Sequence, residues 1–278
     1  MIALKTNDTL PSSRFPKVGR GHATEDTVVT IGKAKFGATY KSLIAGPCAV
    51  ESYEQLSRVA VAVKALGVKV LRGGAFKPRT SPYSFQGLGV EGLQIMRRVC
   101  QEQGLAMVTE AVDLESLESV CSYADAIQIG ARNMQNFSLL KAAGQSSLPV
   151  LLKRGPSAKI EELLFAAEYI LDQGNGQVLL CERGLRGFDP MTRNLLDLSA
   201  VPLVRRLSHL PIIVDPSHAA GRPDIIGDLT MGAFAVGAHG AIIEVHDRPG
   251  EALSDGDQAM IPDDFAELTL RLKTHGFL

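Results

Sequence analysis

The chain has 278 residues, with 29 Lys and Arg against 30 Asp and Glu, for a net charge of −1. That balance argues against a nucleic-acid binder working through a broad basic surface, while leaving room for a small cationic pocket. Hydrophobic residues make up 45% and aromatics only 5%, with no Trp, so the core is aliphatic, as in a parallel sheet wrapped by helices.

Residues 1–26 are polar, with Pro, Ser and Gly, and read as a flexible arm. They contain no long apolar run, so no secretory signal is expected, and no 18-residue apolar stretch predicts a membrane span. The four cysteines, Cys48, Cys100, Cys121 and Cys181, form no CxxC pair, and Cys100 and Cys121 read as packed thiols. A cytoplasmic setting follows as the default. Residues 27–31 and 34–36, around Gly32-Lys33, predict a β-hairpin.

Eight apolar runs then recur: 43–46, 68–72, 106–110, 126–130, 150–154, 178–182, 212–216 and 241–245. Helix-period segments separate them. Ser52 caps a helix over 53–66 that ends at Gly67, and another over 91–103 ends at Gly104. A third spans 157–173 from Ser157 to before Gly174, and the last, 262–275, has Pro262 at its start and Gly276 after its end. Eight strands alternating with helices predict a (β/α)8 TIM barrel of the α/β class, one catalytic domain over 27–278 including the hairpin. The competing doubly wound sheet would more often show a Gly-rich fingerprint after its first strand, where this chain has Gly-Pro-Cys.

In such a barrel the reacting groups sit at the C-terminal strand ends. Those ends carry Arg72, Lys77, Arg79, Arg132, Lys153 and Arg183. Six cations around one mouth repel one another unless anions bind there, and Arg suits phosphate and carboxylate in particular. Any one of them taken singly is as easily a rim residue paired with an acid. Arg154 is left outside this group. Cys48, His218, Glu244 and Asp255 fall at the ends of the first, seventh and eighth strands, which become neighbours on closure. A thiol, an imidazole and two carboxylates suit a divalent transition ion. Separately, they also read as a packed thiol, a turn histidine and rim charges.

Longer motifs surround these residues: GPCAVES (46–52), LRGGAFKPRTSPYSFQGLG (71–89), QIGARNMQN (128–136), LLKRG (151–155), TRNLLDLSAVP (192–202), VDPSHAAGR (214–222) and EVHDRPGEALSDGDQ (244–258). In order and over residues 27–275, the chain resembles the 3-deoxy-D-arabino-heptulosonate 7-phosphate (DAHP) synthases. The resemblance is to the shorter microbial type related to 3-deoxy-D-manno-octulosonate 8-phosphate synthase. It implies a (β/α)8 barrel that condenses phosphoenolpyruvate (PEP) with erythrose 4-phosphate and water, giving DAHP and phosphate at the entry to the shikimate pathway. It implies one divalent metal, with Mn2+ preferred and Fe2+, Co2+ or Zn2+ as alternatives, held by Cys48, His218, Glu244 and Asp255.

The same resemblance places PEP on Arg72, Lys77, Ala131, Arg132, Lys153 and Arg183. It places the aldose phosphate on Lys77, Pro78, Arg79 and Thr80. Lys77 and Glu110 are the expected proton-handling groups, with Cys48 and His218 catalytic as ligands. A homodimer or homotetramer is expected, with no nucleic-acid or membrane partner. The chain departs from the commonest family pattern at Ala49, Ala220 and 188–190, none of which is an expected ligand. The arm is too short for the ferredoxin-like regulatory domain of some relatives, so no feedback inhibition through one is expected.

Three rival readings remain. The octulosonate sister enzyme would take arabinose 5-phosphate, but it carries an Asn-containing loop where this chain has Lys-Pro-Arg-Thr-Ser at 77–81. A Schiff-base aldolase would use Lys153 and leave the metal set unexplained. A catalytically silent phosphometabolite-binding protein or chorismate-mutase partner would bind PEP without turnover.

Overall fold

The computed structural model describes residues 14–23, 25–79 and 81–278. Two short strands, β1 (Val29–Ile31) and β2 (Ala34–Phe36), pair antiparallel as the predicted hairpin. Eight more run in chain order around a closed parallel barrel: β3 (Ser42–Gly46), β4 (Val70–Arg72), β5 (Ala106–Ala111), β6 (Ala126–Ile129), β7 (Val150–Lys153), β8 (Val178–Glu182), β9 (Ile212–Val214) and β10 (Gly240–Glu244). Closure comes from β10, where Ala241 pairs with Leu43 of β3 on one side and Val214 of β9 on the other.

The barrel interior is filled by Ile44, Val70, Val108, Leu151, Leu179, Ile213 and Ile242, joined by Val29, Ile31, Ala34 and Phe36 of the hairpin. The hairpin therefore plugs the N-terminal end and leaves the C-terminal end as the mouth. Its turn residue Gly32 has φ of +56°, and a Cβ there would lie 2.6 Å from the Ala106 Cβ, so neither the backbone nor the space admits a side chain.

The outer helices are α1 (Tyr53–Ala65), α2 (Val90–Gln103), α3 (Leu114–Tyr123), α4 (Phe137–Gln145), α5 (Ile160–Asp172), α6 (Ala200–Leu207), α7 (Pro216–Ala220), α8 (Ile226–Ala235) and α9 (Pro262–Thr274). Ser52 caps α1 as expected, accepting from the Gln55 amide at 3.1 Å. Gly104 ends α2 in the left-handed conformation. The helix expected from Ser157 begins three residues later, because the Glu162 carboxylate accepts the Lys159 amide at 2.7 Å and so fixes the first turn there.

The expected flexible arm is corrected over its described part. Phe15 and Val18 are buried in the core. The Glu168 carboxylate of α5 accepts the Lys17 and Val18 amides at 2.9 and 2.8 Å, and Arg20 donates to the Arg205 carbonyl of α6 at 2.8 Å. Two apolar side chains in a polar stretch suffice to dock it, which an average composition conceals. Residues 1–13 and 24 lie outside the described residues.

Candidate active site

The mouth holds a cavity of about 550 Å3. Arg72 ends β4, Lys153 ends β7, and Arg183 follows β8. With Lys77, Pro78 and Arg79 from the β4–α2 loop, Glu110 of β5, and Ala131 and Arg132 after β6, they line this one space. Every residue expected to bind PEP thus reaches the cavity, and so do the described residues expected to bind the aldose phosphate. Thr80 lies outside the described residues.

Two of the buried cations that line the cavity have buried acidic partners. Arg72 Nη2 is 3.0 Å from Glu244 Oε1, and Lys153 Nζ is 2.5 Å from Asp215 Oδ2. Arg183 is also buried, yet among the described residues its guanidinium has no acidic partner within ion-pair distance. Burial accordingly lowers its pKa. Among the described residues, Arg72 Nε and Nη1 are buried and make no hydrogen bond. Unsatisfied cationic donors in a closed mouth are the form an anion site takes before its ligand arrives. Arg154 is different: its Nη1 bridges Glu182 at 2.8 Å and Asp197 at 2.9 Å below the mouth, so its place is structural.

Cys48, His218, Glu244 and Asp255 converge, with one donor atom from each all within 4.8 Å of one another, and His218 and Asp255 reach the cavity. Cys48 sits just after β3, His218 on α7, Glu244 at the end of β10, and Asp255 on the following loop. Asp215 and Pro216 start α7, and Asp215 Oδ1 accepts the His218 amide at 3.0 Å, which sets the imidazole's place. His218 Nδ1 lies 2.8 Å from Asp215 Oδ2, and Nε2 lies 3.3 Å from Glu244 Oε1. A carboxylate behind one ring nitrogen leaves the other to serve as a ligand. Asp255 adopts φ of +52°, unusual for a residue with a side chain and of the kind found where function demands it.

The donor set fits a metal ion. Glu244 Oε1 is buried and, despite its ion-pair contacts with Arg72 and His218, accepts no hydrogen bond of good geometry. Burial tends to raise its pKa, but protonated His218, at the acid pH where the carboxylate titrates, and the Arg72 charge outweigh this and keep it ionised. Burial lowers the His218 pKa, favouring the neutral, ligating imidazole. The Cys48 thiol is pushed up to about 12 by burial and the Glu244 charge, so a cation is needed to hold it as thiolate. Sulfur, nitrogen and oxygen together select a transition ion over Mg2+ or Ca2+.

Lys77 Nζ donates to Cys48 Sγ at 2.9 Å and to the Cys48 carbonyl at 3.0 Å. Glu110 accepts from Gln128 Nε2 at 3.1 Å and lies so close to Gly130 that a Cβ there would stand 2.0 Å from Oε1. Arg132 Nη1 donates to the Pro78 carbonyl at 2.6 Å, and Arg79 Nη1 to Ser254 Oγ at 2.5 Å, so loops from different strands brace one another. Arg186, Arg193 and Asn194 also line the cavity and were not expected there. They lie on the long β8–α6 loop, where periodicity says nothing about direction.

Residues 23–276 match the DAHP synthetase I family. The chain belongs to that family. A Thermotoga maritima phospho-2-dehydro-3-deoxyheptonate aldolase is 55% identical over 259 residues, 93% of this chain and 77% of that protein. Its crystal structure superposes with a TM-score of 0.91 at 54% identity, covering 93% of this chain and 76% of that one. The truncated form of the Thermotoga enzyme gives a TM-score of 0.88 at 50% identity over 94% of this chain and 96% of that one. A 2-dehydro-3-deoxyphosphooctonate aldolase of Magnetococcus marinus is 31% identical over 84% of this chain and 87% of that protein. The two kinds of enzyme are sisters, and this chain stands with the DAHP synthases. Among the described residues no helix is long and apolar enough to cross a membrane.

Proposed function

We propose that this chain condenses PEP with erythrose 4-phosphate and water to DAHP and phosphate, using a divalent ion held by Cys48, His218, Glu244 and Asp255. The observation that carries this is Arg183, a buried cation with no acidic partner among the described residues, in a cavity also lined by His218 and Asp255 of that four-donor cluster.

Arg72, Arg132, Lys153 and Arg183, with the Ala131 backbone, hold PEP by its phosphate and carboxylate. Lys77, Pro78, Arg79 and Thr80 hold the aldose phosphate. Fixing both substrates turns a two-body encounter into an oriented one. When bound, the metal ion would supply a Lewis acid for the aldehyde oxygen, and Mn2+ is the ion proposed. PEP carbon 3 attacks the aldehyde carbon, water adds at carbon 2, and phosphate leaves by C–O cleavage. Lys77 stands between the two substrates, where its ammonium stabilises or protonates the new alkoxide. Glu110, which lines the same cavity, handles the proton of the attacking water in this reading. The family membership supports a homodimer or homotetramer in the cytoplasm.

The test is PEP consumption with phosphate release, after chelator treatment and Mn2+ add-back. Erythrose 4-phosphate and arabinose 5-phosphate are compared in parallel. Metal-dependent turnover with erythrose 4-phosphate alone is expected. Turnover with arabinose 5-phosphate would move the chain to the sister activity, and no turnover with either would leave a binding protein.

A further inference from the structure

We propose that Arg193 and Gln258 are positioning residues for the Glu244 carboxylate, forming a two-step hydrogen-bond relay from the substrate cavity to the metal-ligand cluster. The inference rests on the metal reading of that cluster.

Gln258 is buried, at 3% exposure. Its Nε2 donates to Glu244 Oε2 at 2.6 Å, and its Oε1 accepts from Arg193 Nη1 at 2.8 Å. A carboxamide has one donating and one accepting end. An arginine offers only donors, so Arg193 claims the accepting end and turns the donating end onto Glu244. Rotated the other way, the amide would set an oxygen against a carboxylate. With Oε2 held by Gln258, the second oxygen, Oε1, is left between Arg72 Nη2 at 3.0 Å and His218 Nε2 at 3.3 Å.

The relay is anchored at both ends. The Arg193 amide donates to the Ala220 carbonyl at 2.9 Å. Its Cβ packs on Gly221, where an added Cβ would stand 2.5 Å away. Gly221 closes α7, the helix that carries His218. At the other end, the Gln258 amide donates to the Asp255 carbonyl at 3.3 Å, within the turn that presents the Asp255 ligand. The relay therefore couples the segments bearing His218, Glu244 and Asp255, and its guanidinium lines the cavity where the substrates are proposed to sit. Removing a group that orients a metal ligand typically weakens the metal by about 10–100-fold.

The experiment strips the full chain with EDTA and titrates it with Mn2+ by calorimetry without substrates. Wild type is compared with Gln258→Leu, Arg193→Met, Arg193→Lys and Cys48→Ala, and each stripped protein's melting temperature is recorded. We expect Gln258→Leu to weaken Mn2+ by about 10-fold or more. Arg193→Met weakens it less, and Arg193→Lys, which keeps a donor, recovers part of the loss. Melting temperatures near wild type show that the loss is not unfolding. If Gln258→Leu fails to fold, the half-exposed position 193 carries the test alone. Wild-type Mn2+ affinity in Arg193→Met and in any folded Gln258→Leu, with Cys48→Ala impaired, would overturn the relay and leave the metal reading standing. No Mn2+ binding by wild type would overturn the metal reading and the relay together.

Discussion

Lys153 Nζ lies 2.5 Å from Asp215 Oδ2, and the same carboxylate oxygen stands 2.8 Å from His218 Nδ1. One buried acid therefore joins a cation of the proposed PEP site to a histidine of the candidate metal cluster. Burial tends to raise the Asp215 pKa, but protonated His218, at the acid pH where the carboxylate titrates, and the Lys153 charge outweigh it and hold the group well below the usual carboxylate range.

Asp215→Asn keeps the shape and removes the charge. It leaves Lys153 buried without its partner, so a stability loss of about 3 kcal/mol is expected in urea melts. It also removes the charge that orients His218, so Mn2+ binds about 10–100-fold more weakly. Unchanged Mn2+ affinity in calorimetry would show that the imidazole is positioned by its backbone alone.

Arg183→Gln separates binding from stability. A charge-assisted hydrogen bond contributes about 1.5–3 kcal/mol, so the KM for PEP rises by about 10–100-fold. Burial of the uncompensated cation already lowers its pKa, so its removal costs little and the melting temperature holds or rises. A fall in melting temperature with an unchanged KM would assign Arg183 to the scaffold.

Arg154→Met gives the opposite pattern. Glu182, fully buried, loses its partner, and breaking such a pair costs about 3–5 kcal/mol. KM values for both substrates stay near wild type. Altered KM values in a folded Arg154→Met protein would bring this arginine into the site.

His239 makes the fold sensitive to acid. Burial and the Arg205 charge lower its pKa to about 4. An unfolded histidine takes up its proton near 6.5. Between those values the unfolded chain binds more protons, so stability is lost as pH falls from 6.5 towards 4, by roughly 3 kcal/mol in all. Urea midpoints at pH 7 and pH 5 should therefore lie closer together in His239→Asn than in wild type. Equal pH sensitivity in the two proteins would place the acid response elsewhere.

The candidate site was legible in the sequence because a barrel reduces a three-dimensional question to a linear one. Once the strands are located, Cys48, Arg72, Lys153, Arg183, His218 and Glu244 fall at strand ends, and strand ends share one mouth. Arg193 and Gln258 escaped because they lie on long loops. Without a period, direction there depends on partners distant in the chain, such as Gly221 beneath Arg193 and Glu244 beside Gln258.

Apolar spacing and the turn residues determined, by themselves, the eight strands, the hairpin and the side of the barrel where chemistry collects. Only the tertiary structure decided which charges are paired. Lys153 and Arg183 lie at the ends of neighbouring apolar strands, yet among the described residues one meets a buried carboxylate and the other none. Pairing depends on distances of a few ångströms between residues far apart in the chain, such as the 62 positions between Lys153 and Asp215. The same holds for Phe15 and Val18, whose burial in a polar arm is set by the surface of α5 and α6. Periodicity reports which face of an element is buried; the identity of the neighbour across the gap is a property of the closed barrel.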